Sequence, residues 1–123
     1  LASGPGPVFM PIHSHRDLIV WQKGMDLSVD VYRLTKSFPP DELYSLVSQL
    51  RRSASSIPAN IAEGRGRYSE KDFAHFVSVA RGSVMEVDTF FVLLCASNIC
   101  PTTRPSLSLH LSLNSQTCSR RCA

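Results

Sequence analysis

Between residues 51 and 81 the chain carries Arg51, Arg52, Arg65, Arg67, Lys71 and Arg81. The same stretch holds only Glu63, Glu70 and Asp72, a local excess of positive charge. Arginine presents a forked set of donors matched to phosphate oxygens, so these residue types point to polyanion binding. The six positions are not equivalent. Arg65, Arg67 and Lys71 lie in a glycine-containing link and are read as solvent-facing, which makes them the better candidates. Arg51 flanks an apolar helical seam, where it would pair with an acid of a neighbouring helix or subunit. Arg52 shares the opposite face with Ser56, Ala59 and Glu63, and both readings stay open for it.

Little else in the sequence carries chemistry. His13 and His15 alternate in an expected flexible arm, and His75 stands alone on a helix. Metal binding needs more convergent ligands, so no metal and no cofactor are expected. Cys95 falls in an apolar helical pattern and reads as core, whereas Cys100, Cys118 and Cys122 match no zinc spacing. No serine, cysteine or carboxylate stands in a catalytic pattern with a histidine or lysine, so an enzyme is not expected. Ser53, Ser56 and Asn60 form a polar face, read as helix or subunit packing with Asn60 fixing register rather than as a ligand site.

Charge and hydropathy bound the class further. The formal net charge is +3, from 13 basic and 10 acidic residues. That excess lies entirely in Arg104, Arg120 and Arg121, and residues 1–98 balance to neutrality. A neutral body argues against nucleic-acid binding through net charge alone. No apolar run approaches the roughly 18 residues of a membrane span. The start has no basic region followed by an apolar stretch, so a secretory signal is not expected and thiols are read as reduced.

Three helical segments must position these residues. Residues 17–38 carry two apolar rows on opposite sides of a helix, one of Leu18, Trp21, Met25, Val29 and Tyr32, the other of Val20, Leu27, Val31, Leu34 and Phe38. Such a helix is expected to be central in a bundle or packed on another subunit. A second helix restarts at the Pro40–Asp41–Glu42 break, where proline and acids suit a helix start. Its seam of Leu43, Val47, Leu50, Ala54, Ile57 and Ile61 steps by 4 and 3 in turn without losing phase. Pro58 removes one backbone donor, so a kink is expected there but no break. Gly64 and Gly66 are read as the helix end. The third helix opens on a capping-box pattern, Ser69 with Asp72, and buries Phe73, Val77, Ala80, Val84, Val87, Phe91 and Leu94. Gly82 costs helix propensity, which suggests close approach of another backbone.

The domain reading is therefore an N-terminal arm over residues 1–15, a helical bundle over 16–98 and an atypical tail over 99–123. Met10 is an expected native start, and residues 1–9 are left out of the fold. The tail has no acid and alternates Leu and Ser from Leu107 to Leu113, a strand-like period with nothing to pair with. It is read as disordered or as the product of a reading-frame change.

Within residues 16 to about 98 the chain resembles a known family. "LRRSASSIPANIAEG" is the most specific stretch, supported by "LIVWQK", "VYRLTKSFP", "ELY" and "FVSVARGSVMEV" in the same order and spacing. These motifs are similar to those of the four-helix-bundle proteins encoded in intervening sequences of large-subunit ribosomal RNA genes. That family is related to the accessory protein of diversity-generating retroelements. The resemblance implies an all-α, antiparallel up-down bundle in a bacterial, cytoplasmic protein, with relatives forming a ring of five subunits. It also implies an accessory role, the retroelement relative binding nucleic acid and a reverse transcriptase through basic surface. The family's fourth helix has no counterpart after Asn98, so the seams of the first and third helices are expected to lack a cover. Each uncovered Leu or Phe forfeits about 1.5–3 kcal/mol of burial. Two functions stay open: an oligomeric nucleic-acid-binding accessory protein, and a structural or protein-interaction bundle without nucleic-acid contact.

Overall fold

The computed structural model describes residues 12–42 and 45–97 and is all-helical among them. Helix α1 spans Ile19–Thr35, α2 spans Leu46–Gly66 and α3 spans Glu70–Ala96. Two short 3-10 turns, His15–Asp17 and Pro40–Glu42, precede α1 and α2. The cross-helix contacts run in opposite order along each neighbouring pair. Ser28 meets Ala54 while Thr35 meets Arg51, and Ser56 meets Ser83 while Ser53 meets Glu86. The three helices therefore run up, down and up.

The central helix is α2, which packs against both of the others. Its predicted seam is buried along its described length: Val47, Leu50, Ala54, Ile57 and Ile61 are all at most 4% exposed. Of the two expectations for α1, a central place or a face on another subunit, the first is not met among the described residues, since α2 takes the centre. One α1 row, Leu27, Val31 and Leu34, faces the core with Phe38 just beyond the helix, while Val20 of that row is exposed. On the other row Met25, Val29 and Tyr32 are exposed, and only Leu18 and Trp21 pack against the core edge. On α3, Ala80, Val87 and Leu94 are buried as read, with Cys95 beside them. Phe73, Val77, Val84 and Phe91 are half-buried.

Local chemistry places the helix ends. Ser69 caps α3 by accepting from the Asp72 N–H at 3.4 Å, the expected first half of the capping box. A reciprocal capping box closes the turn before α1, where Ser14 and Asp17 exchange backbone contacts. Within the segment expected as an arm, His13 and His15 both have partners. The His13 N–H donates to the Asp17 carboxylate at 3.0 Å, and His15 meets the Trp21 ring edge-on. Helix α2 begins at Leu46 rather than at Pro40, because Pro40–Glu42 forms its own 3-10 turn.

Pro58 lies within α2 and does not end it. Without an N–H, residue 58 leaves the carbonyl of Ala54 with no partner in its own helix. The hydroxyl of Ser28, reaching from α1, lies 2.8 Å from that carbonyl and 2.8 Å from its own Gly24 carbonyl. Gly24 allows the approach, since a Cβ there would stand 3.2 Å from Ile57 Cγ2 and 3.4 Å from the Pro58 nitrogen. Ser28→Ala is expected to cost about 1–3 kcal/mol, the penalty for an unsatisfied buried acceptor. In a Pro58→Ala background residue 58 regains its N–H, and the same serine change should then cost clearly less. A double-mutant cycle in urea measures this, and equal costs in both backgrounds would refute the role given to Ser28.

Candidate nucleic-acid interface

The structure disperses the six basic candidates. Helices α2 and α3 meet at the short link around Arg67–Ser69, so Arg65, Arg67 and Lys71 gather at one end of the hairpin. Arg52 lies thirteen residues from Arg65 along α2, about 20 Å at the helical rise. Arg81 lies ten residues from Lys71, about 15 Å along α3. Among the described residues the six do not form one continuous basic patch.

Each guanidinium has its own surroundings. Arg51 is half-buried, donates from Nε to Thr35 Oγ1 at 2.8 Å and lies 4.9 Å from the centre of the Tyr32 ring. Its partners are a hydroxyl and an aromatic face in place of the expected acid. Thr35 is buried and passes its own hydrogen back to the Val31 carbonyl, so its oxygen is free to accept. Arg67 pairs with Glu63 at 3.0 Å and covers the Phe76 ring at 5.4 Å. Both members of that pair are about half exposed, so its contribution is small. Arg65 is exposed and donates to the Ile12 carbonyl at 3.3 Å, which ties the segment before α1 to the end of α2. Among the described residues Arg52, Lys71 and Arg81 are exposed and carry no ion pair.

The serine face is a packing device, as read. Ser53 donates to Glu86 Oε2 at 2.8 Å, and the Ser56 and Ser83 hydroxyls lie 2.6 Å apart, both contacts joining α2 to α3. Asn60 departs from its expected role, because its amide donates to the Ser56 carbonyl of its own helix. Gly64 is corrected as well. It lies inside α2, where a Cβ would come 2.7 Å from Phe76 Cβ, so its function is close approach to α3. Gly82 shows the reverse, with no neighbour among the described residues within 4 Å of a Cβ placed there.

A family model covers most of the chain. The model described as 23S rRNA-intervening sequence protein matches residues 16–112. The chain belongs to that family. No curated protein matches it. For this intervening-sequence protein the family match continues past Asn98, beyond the expected end of the resemblance, into residues outside the described ones. The tail and its cysteines, and Leu43 of the α2 seam, also lie outside them. Among the described residues of the intervening-sequence protein no helix is long and apolar enough to cross a membrane. No group of three metal-ligating side chains occurs among them either.

One exposed residue of the site escaped the periodicity. Tyr68 belongs to none of the apolar seams or motifs of the sequence. The helix stops at Gly66, and Tyr68 turns fully outward beside Arg67. The helix end decided its exposure.

Proposed function

We propose that this intervening-sequence protein works without catalysing a reaction, as a homo-oligomeric accessory protein that holds nucleic acid against its exposed cations. The observation that carries the reading is the uncovered apolar surface. Met25, Val29 and Tyr32 on α1 and Val79, Met85 and Leu93 on α3 are each 38–48% exposed. Association between copies would bury such rows, each large side chain contributing up to about 1.5–3 kcal/mol on full burial. An oligomer also repeats the link that carries Arg65, Arg67 and Lys71, so cations that are sparse on one protomer recur around the assembly. Arg52 and Arg81 add to that surface, while Arg51 holds α1 to α2. A bacterial cytoplasmic setting and a ring of five subunits belong to this same reading.

A second reading, an interaction bundle without nucleic acid, is favoured by the neutral body and by the partners that Arg51 and Arg67 find within the chain. Light scattering and salt titration separate the two. The proposal expects a mass well above the 13.6 kDa of one chain. It also expects binding to RNA or DNA that weakens steeply with salt, because each neutralised phosphate releases counterions. Changing Arg65, Arg67 and Lys71 together to Gln should lower the log–log salt slope for duplex DNA by about 2–3, at roughly 0.9 per contact. An unchanged slope would move the site away from the link. An oligomer that binds no nucleic acid at any salt would establish the interaction bundle instead.

A further inference from the structure

Tyr68 has no packing role in the protomer. Its side chain is as accessible as in an extended peptide, 109% of the reference value, and it sits in the turn between Arg67 and the Ser69 cap. The other exposed large apolar residues of the helices lie on helix faces at no more than 69%. Three cations lie within three residues of Tyr68 in the chain, at the same end of the hairpin. Arg65 is anchored to the Ile12 carbonyl, Arg67 is held by Glu63 and Phe76, and Lys71 is exposed in the first turn of α3.

Glu63, Glu70 and Asp72 share that end and cancel the cations in number. A duplex held by phosphate contacts alone would therefore gain little here. A strand with unpaired bases has a second means of attachment, since every base offers a face that stacks on an aromatic ring whatever the sequence. We propose that Tyr68 is a stacking platform for an unpaired base, so the ligand of this face is single-stranded nucleic acid rather than duplex. This rests on the nucleic-acid reading above and narrows its substrate class. Arg65 and Lys71 would then track the phosphates on either side of the stacked base, with Arg67 braced against Phe76 behind the ring.

The test uses the full chain and labelled oligo(U), oligo(dT) and a mixed-sequence duplex in fluorescence anisotropy across a salt series. The parent should prefer the single strands, and the two strand types show whether the 2′-hydroxyl matters. Tyr68→Ala should weaken single-strand binding by about 5- to 150-fold, the loss that goes with one stacked base. The salt slope should stay the same, since no cation is removed. Tyr68→Phe and Tyr68→Trp should keep the parent's affinity. Circular dichroism should be unchanged for all three variants, because the side chain touches no core residue. Parent-like binding by Tyr68→Ala, or a preference for duplex, would overturn the stacking proposal while leaving nucleic-acid binding in place. Absence of binding to strand and duplex alike would overturn both.

Discussion

Gly64→Leu is expected to push α3 off α2 and to cost about 3 kcal/mol or more, the upper end of overpacking penalties. A Cβ at position 64 would lie 2.7 Å from Phe76 Cβ, 3.2 Å from Phe73 Cδ2 and 3.4 Å from Phe73 Cα. Phe76 Cβ and Phe73 Cα are on or next to the α3 backbone, so a change of rotamer can move only the Phe73 ring, and the helix itself must shift. That shift strains the Ser56–Ser83 and Ser53–Glu86 contacts further along the same interface. Gly64→Ala gives a sharper comparison. Alanine gains about 0.8–1 kcal/mol of helix propensity over glycine, and at Gly64 the clash should outweigh that gain. At Gly82, where a Cβ meets nothing among the described residues, the same change should stabilise the fold by about that amount. Urea melts followed by circular dichroism read both signs. A stabilised Gly64→Ala would mean that the interface gives way more easily than its geometry indicates. A Gly82→Ala variant of reduced mass in light scattering would locate a subunit contact at that glycine.

Leu50→Ala should remove about 2–5 kcal/mol, the range for deleting a buried leucine and leaving a cavity. Leu50 is wholly buried on the helix that both other helices pack against. With only about 5–15 kcal/mol separating folded from unfolded states in a small domain, this is a large fraction of the total. Each kcal/mol lost lowers Tm by about 4–8 °C in a domain of this size, so the melting shift is easily measured. Leu50→Met, which nearly conserves volume, should cost less than about 1.5 kcal/mol. Equal melting of the alanine and methionine variants would show that the site collapses around the missing atoms. A small effect for both would contradict the central place of α2.

The periodicity of apolar residues was enough to predict each helix and, for α2 and α3, the side that is buried. Val47, Leu50, Ala54, Ile57 and Ile61, and on α3 Ala80, Val87 and Leu94, are buried where the 3.6-residue repeat places them. Ser69 as a cap was legible for the same reason, since its partner lies three residues away. These are short-range relations, set by covalent geometry within one helix. Relations between helices had no comparable trace. That α2 is central, that Ser28 serves the carbonyl Pro58 leaves free, and that Arg51 meets Thr35 and Tyr32 depend on how two helices are set side by side. Gly64 and Gly82 show the limit most plainly. Both are glycines on helices with no side chain to reveal a face, and only the proximity of α3 to Gly64 gives the two opposite meanings. Tyr68 belonged to no seam, and its full exposure in the turn after Gly66 came from the structure alone. Local repeats determine which side of each helix avoids water, whereas tertiary placement decides which neighbour covers it and which side chains are left facing outward.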